Sequence, residues 1–256
     1  MLDLTPYSFN RLMSALHLIP VPLSELADAK PGLSLTPDVL NLTRQLRHFI
    51  VENAKSARAF LKTVEMPVPI AELNIQELPG RGKMGKSEAK SSDWDELLKP
   101  IENGHAIGLL SEAGCPAVAD PGSELVQRAH QRNILVMPHI GPSSLLLALM
   151  GSGLGGQRFA FHGYLPQDEA SRKQALSRLE DESRRQGQTQ IVIETPYRNH
   201  AFFESLINGL KPETQICVAA DLTMPSQFIQ TKSAQAWKKS EAPTLNKHPA
   251  VFLFKY

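Results

Sequence analysis

The sequence predicts an α/β protein with two α/β domains, and three observations carry that expectation. Short apolar runs alternate with helix-patterned segments along most of the chain. Each run stops at a cluster of Gly, Pro, Ser or Asp, as strand-to-helix connections do. At 256 residues, with about five candidate strands in each half, the chain suits two sheets better than one.

Residues 1–15 read as an extension, and Asp3 with its polar neighbours breaks any secretory pattern. Leu16-His17-Leu18-Ile19 is the first strand, which Pro20 and Pro22 are expected to close to both ladder and helix. Thr36 and Pro37 start a helix as cap and first-turn residue. Phe49-Ile50-Val51-Glu52 is a second strand ended by Asn53, and residues 54–62 form a helix with Ala57, Phe60 and Leu61 on one face. Residues 79–92 form a surface loop, in which Arg81, Lys83, Lys86 and Lys90 outnumber Glu88 and leave both a solvated excursion and a phosphate contact open. Residues 94–101 return to helix.

The next strand, 106–110, runs into Ser111-Glu112-Ala113-Gly114-Cys115-Pro116-Ala117-Val118-Ala119-Asp120-Pro121-Gly122, with a helix from Ser123. Small residues let a ligand lie against main chain, and open α/β sheets hold ligands beyond the carboxyl ends of their strands. After a strand at 134–137, His139-Ile140-Gly141-Pro142-Ser143-Ser144 leads to an apolar helix whose first serines can cap its free amides. Gly151-Ser152-Gly153-Leu154-Gly155-Gly156 has dinucleotide-fingerprint spacing but follows a helix and precedes a strand, so it reads as a helix terminator. The second half continues the alternation: strand 159–161, loop 162–166, polar helix 168–185, strands 190–194 and 216–220, an edge strand at 228–230 and a final strand at 249–254. Domain limits are expected at 16–139 and 140–256.

A formal charge of +1 gives no whole-protein field toward bare nucleic acid. In the helix over 168–185, Arg172, Lys173, Arg178, Arg184 and Arg185 alternate with Glu169, Glu180, Asp181 and Glu182, the pattern of a solvated face rather than an RNA contact. Cys115 and Cys217 lack metal-ligand spacing, so no metal is expected. No run approaches the roughly 18 apolar residues of a membrane span, and a cytoplasmic location is expected.

Ser111 to Pro116 with Ala119 to Gly122, then Gly141-Pro142-Ser143, then Gly163-Tyr164-Leu165-Pro166 resemble, in order and spacing, the tetrapyrrole methylase superfamily. Within it the chain is most similar to the bacterial 16S rRNA ribose 2'-O-methyltransferase branch, because Pro20-Val21-Pro22 stands where tetrapyrrole-modifying members carry a glycine-rich loop. Glu194 to Arg198 and Ala220 to Thr223 match later blocks more loosely. The chain departs from the branch at Asn53 and Ala54, where Asp and Thr are usual, and in its basic loop.

The resemblance implies two α/β domains of the tetrapyrrole methylase type with S-adenosylmethionine in the cleft between them. It implies contacts from Pro22, Ser111, Glu112, Ala113, Gly114, Ala117, Ser143, Ser144, Ile193, Ala219 and Pro249. Glu52, Lys55, Arg58 and Glu194, just past strand ends, are the candidates for catalytic or acceptor-side roles. Also implied are rRNA or the small ribosomal subunit as partner and a homodimer. C-methylation of a tetrapyrrole, or cofactor binding with another acceptor, are the alternatives.

Overall fold

The computed structural model describes residues 14–24, 34–79, 91–120 and 122–256. The chain divides into two compact units, Met1–Pro142 and Ser143–Tyr256.

In the first unit, strands β1 (Ala15–Ile19), β2 (His48–Val51), β3 (Asn74–Glu77), β4 (Ile107–Leu110) and β5 (Leu135–Pro138) form one sheet in the order β3-β2-β4-β1-β5. Every pairing is parallel. Helices α1 (Pro37–Gln45), α2 (Ala54–Thr63), α3 (Ser91–Glu102) and α4 (Ser123–Gln131) make the crossovers that parallel strands require. Burial alternates along the strands: Phe49, Val51 and Leu110 pack with Ala57 and Leu61, while Ile50 and Leu109 pack with Leu98, Leu125 and Ala129. Both faces are thus covered, which explains the continuous apolar runs. Thr36 caps α1 through Val39 N, and Pro37 opens that helix, as the sequence predicts.

The second unit holds β6 (Phe159–Tyr164), β7 (Thr189–Ile193), β8 (Gln215–Ala220), β9 (Phe228–Ser233) and β10 (Ala250–Lys255), in the order β6-β7-β10-β8-β9. Helix α5 (Ser144–Ser152) lies against β8, β9 and β10. The Thr231 hydroxyl donates to the Ser152 carbonyl at 2.7 Å, and a Cβ at Gly151 would stand 2.8 Å from Ile229, so helix and strand approach closely. Helices α6 (Glu169–Gln186), α7 (Asn199–Gly209) and α8 (Ala234–Lys238) enclose a core of Val192, Phe202, Phe203, Val218, Trp237, Phe252 and Phe254. The Trp237 indole N–H donates to the Ile216 carbonyl at 2.9 Å, which satisfies its one polar group.

The sequence leaves the strand directions of the second sheet open, and some element limits need correction. The second sheet is mixed: β6 and β7 are parallel, but β10 runs antiparallel to β7 and β8, and β9 antiparallel to β8. A short turn after β8, with Asp221 at φ 50° and Thr223 at φ 72°, sends the chain straight back. The β1 ladder does stop at Ile19, ahead of Pro20 and Pro22, and beyond it Val21 makes only an isolated bridge, exchanging two backbone hydrogen bonds with Gly114 (2.9 and 3.1 Å). The strand at 159–161 continues to Tyr164 through an irregularity at Gly163, whose φ of 64° suits glycine. Ala15 belongs to β1 rather than to an extension, and helix α3 already begins within the expected loop at Ser91. Strand β3 and helices α7 and α8 were not anticipated. The cationic part of the basic loop, Arg81 to Lys90, lies outside the described residues.

Candidate functional site

In the first unit β1 and β4 are adjacent and parallel, with Ile19 paired to Leu110, so the segments leaving their carboxyl ends meet. The Val21–Gly114 bridge joins them directly. Ser111 is buried, and its hydroxyl reaches the carbonyls of Ala113 (3.3 Å) and Gly114 (3.2 Å), which folds the loop on itself. Gly114 has φ 75°, and a Cβ there would lie 3.2 Å from Leu23 and 3.4 Å from the Pro142 carbonyl. Glycine suits the left-handed conformation, and a side chain there would press only on the Leu23 methyl.

Beyond it, Ala117 (φ 66°) and Ala119 (φ 62°) adopt the left-handed region that alanine rarely occupies. Such residues cost free energy and cluster where structure serves a ligand. Glu112 and Ala113 are exposed at the tip, and Pro22 is half-buried beside them in the chain path from Val21. The Cys115 thiol donates to the Pro142 carbonyl at 3.3 Å, and burial pushes its pKa up, so it stays a protonated donor. Gly141 packs against Pro20 with no room for a side chain: a Cβ would fall 2.2 Å from the proline ring. Pro121 lies outside the described residues.

Of the candidate polar residues in this unit, Glu52 is buried just past β2. Lys55 and Arg58 are exposed on the first turns of α2, and Arg58 reaches back to the Ala54 carbonyl at 3.4 Å. Asn53 is the N-cap of α2 and accepts from Lys55 N (2.8 Å) and Ser56 N (3.4 Å). The Glu77 carboxylate completes the cap by accepting from Ala54 N at 2.7 Å.

In the second unit the register of β10 brings candidates together. Val251 pairs with Ile193 on one side and Ala219 on the other, so these two stand at one level across the sheet. The Pro249 carbonyl, at the start of β10, accepts from Asp221 N at 3.0 Å, which places it at the same sheet end. Ser143 caps α5 by accepting from Leu146 N, and Ser144 opens the helix. Glu194 is buried and its Oε1 accepts from Thr195 N (2.7 Å) and Arg198 (2.6 Å), so it organises the turn after β7.

Beside these the fold collects residues to which the sequence assigned no role. Asp221 is buried, and its Oδ2 accepts from the Ser226 hydroxyl (2.8 Å) and meets His248 Nδ1 at 2.7 Å. Asn199, fully buried, donates to the His248 carbonyl at 2.6 Å. Together they tie the segment before β10 to the ends of β8 and α7. The block Ala220-Asp221-Leu222-Thr223 was a visible signal for the first; Asn199, the first residue of a helix not anticipated, offered none.

A family model described as tetrapyrrole (corrin/porphyrin) methylases matches residues 34–236. The chain is 30% identical over 211 residues to a ribosomal RNA small subunit methyltransferase I of Synechocystis sp., covering 82% of this chain and 68% of that one. It is 27% identical to the protein of that name from Escherichia coli O157:H7, over 91% of this chain and 75% of the other. Among solved structures, the cobalamin biosynthetic enzyme cobalt precorrin-4 methyltransferase shares its fold at a TM-score of 0.59 and 14% identity, with 99% and 98% of the two chains covered.

Proposed function

The chain belongs to the tetrapyrrole (corrin/porphyrin) methylases, and from that premise we propose that it is an S-adenosylmethionine-dependent methyltransferase acting on a ribose 2'-hydroxyl of 16S rRNA. The observation that supports the acceptor is the 30% identity with a ribosomal RNA small subunit methyltransferase over 82% of the chain. Likeness to tetrapyrrole enzymes at 14% identity bears on the fold alone.

Within the first unit, Pro22, Ser111, Glu112, Ala113, Gly114 and Ala117 are assigned to the cofactor. The fit rests on the loop itself: it is built of small residues with little side-chain bulk, and Gly114, Ala117 and Ala119 hold left-handed backbone along it. Within the second unit, Ser143, Ser144, Ile193, Ala219 and Pro249 are assigned the same role. When bound, S-adenosylmethionine supplies a methyl group already activated by its sulfonium. The chain's own task is then to orient the acceptor and exclude water. Lys55 and Arg58 are exposed and cationic, which suits them to phosphates flanking the acceptor ribose. Glu52 and Glu194 are buried and act as positioning residues.

Cytoplasmic location and a homodimer belong to the same reading. Among the described residues no helix is long and apolar enough to cross a membrane. Support for the dimer comes from α5, which exposes Leu146 and Met150 four residues apart on one face.

The test is mass mapping of 16S rRNA from cells with and without the protein, together with calorimetry using S-adenosylmethionine. Loss of one 2'-O-methyl group and measurable cofactor binding are expected. Methyl incorporation into a porphyrinoid but not into small ribosomal subunits would reverse the acceptor, and cofactor binding with no acceptor would mark a member that transfers nothing.

A further inference from the structure

Helix α6 mixes charges of both signs in sequence, yet folding sorts them. Glu180 is buried, where its Oε1 accepts from the Lys211 amide at 2.8 Å and from the Thr214 hydroxyl. Glu182 is half-buried and pairs with Arg178 at 2.9 Å, while 61% of the Arg178 side chain stays exposed. Glu169 stands in the first turn, where free amides favour a carboxylate. The outer face is left with Lys173, Arg184 and Arg185 against Asp181, beside Arg178, which stays largely exposed in its pair with Glu182. The cationic surface continues off the helix. Lys211 Nζ lies 5.0 Å and the Arg184 guanidinium 5.7 Å from the Tyr256 ring, which holds both.

The position of this face matters as much as its charge. Helix α6 connects the parallel strands β6 and β7, so its first turns lie at the sheet end where β7 finishes with Ile193 and Glu194 follows. From Lys173 to Arg185 the face runs roughly 18 Å at the α-helical rise, long enough to meet several successive phosphates of a nucleic-acid strand. Gln174 and Ser177 on the same face add hydrogen-bonding groups, and Ala170 beside them adds only a methyl, with no large apolar side chain among them. That chemistry suits phosphate rather than an apolar partner. Since the whole chain carries only +1, this local concentration of cations is what an anionic polymer would find.

We propose that the outer face of α6, extended by Lys211, is a docking surface for the RNA phosphate backbone that leads the substrate toward the β7 end of the second unit. The proposal rests on the rRNA acceptor assigned above. It is tested by measuring binding of purified small ribosomal subunits between 50 and 200 mM salt, values at which phosphate contacts report themselves in the slope of log K against log salt. The combined variant Lys173→Gln, Arg178→Gln, Arg184→Gln, Arg185→Gln is expected to lower that slope by about 3 and affinity at least tenfold, at about 0.7–0.9 per phosphate contact. Its affinity for S-adenosylmethionine, measured separately, is expected to stay within twofold of wild type. Asp181→Lys, which adds a cation to the same exposed face and removes no side-chain partner among the described residues, is expected to steepen the slope by about 1. Wild-type protein that binds subunits with the slope of both variants would overturn the docking surface alone. Wild-type protein with no salt-dependent binding to subunits would overturn the acceptor and the surface together.

Discussion

Gly141→Ala probes the contact that holds the end of β5 against the segment leaving β1. A Cβ at this position falls 2.2 Å from Pro20 Cβ and 2.5 Å from its Cγ. Carbon atoms settle near 3.5 Å or beyond, so the two segments must part by roughly 1.3 Å. The proline ring has no rotamer that removes it from the path. Pro20 adjoins Val21, whose paired hydrogen bonds hold Gly114, and so the displacement passes into the loop assigned to the cofactor. Overpacking of this kind costs about 1–3 kcal/mol, and the rigidity of both partners places this case at the upper end. For a chain of this size 1 kcal/mol shifts Tm by about 2–4 °C, so a loss of about 6–12 °C is expected. Cofactor affinity is expected to fall tenfold or more, equivalent to about 1.4 kcal/mol. Thermal unfolding with and without S-adenosylmethionine, followed by calorimetry, measures both. Gly187→Ala is the control: its Cβ meets nothing within 4 Å, but its φ of 62° leaves a strain of about 1 kcal/mol. A Gly141→Ala protein that melts within 1 °C of wild type and binds the cofactor normally would refute the coupling.

Three other expectations follow from particular residues. Burial first, and the imidazoles of His105 and His17 second, hold His48 and His139 below the ordinary histidine value. The unfolded chain therefore takes up protons near pH 6.5 while the folded one resists, so stability from these groups is complete above about pH 6.5 and lost as pH falls through the lower folded values. Melting curves from pH 7.5 to 5 should show that fall, and a His48→Asn, His139→Asn variant with the same slope would contradict it. Asp221→Ala removes the partner of Ser226 and His248 at a φ of 50° and should cost about 2–3 kcal/mol in denaturant titration. Asp221→Asn, tolerant of that conformation, should cost about 1 kcal/mol; equal losses would show that the side-chain bonds contribute nothing. Lys55→Ala, Arg58→Ala should raise KM for small subunits about tenfold with little change in Tm, since both side chains are exposed. An unchanged KM would remove them from the acceptor side.

The first sheet was legible because parallel strands buried on both faces write their burial into the sequence. Phe49, Ile50 and Val51 send side chains to alternate faces and are apolar throughout. Thr36 and Pro37 announced a helix by local chemistry alone. Strand β3 is the opposite case. Asn74-Ile75-Gln76-Glu77 lies at the sheet edge and is largely exposed, so it carries no apolar period; pairing with β2 holds it. The mixed order of the second sheet is equally silent in the residues, because Phe252 and Val218 are buried whichever way their strands run. Only the short turn at 221–227 decides direction; Asp221 is a residue that tolerates its left-handed conformation, but the β-branched Thr223 is not one that sequence patterns associate with it.

The candidate site divides along the same physical line. The loop at 111–122 was legible because its requirements are local: small residues, turn formers and a strand before them. Asn53 stood out as a departure from the rRNA branch, yet its side chain does the work of an N-cap that Asp would also do, so the change leaves the start of α2 intact. In α6 the alternating charges read as a solvated face, and Lys173, Arg178, Asp181, Arg184 and Arg185 are exposed as that reading expects. Alternating signs imply a neutral solvated face only while every charge stays on the surface, and Glu180 leaves it for partners at Lys211 and Thr214, far along the chain. The Arg178–Glu182 pair cancels, so one carboxylate turned inward is what leaves the outer face with more cations than anions. How much net charge a mixed-charge helix presents to its surroundings therefore depends on tertiary hydrogen bonds to its acids, which no periodicity in the helix itself encodes.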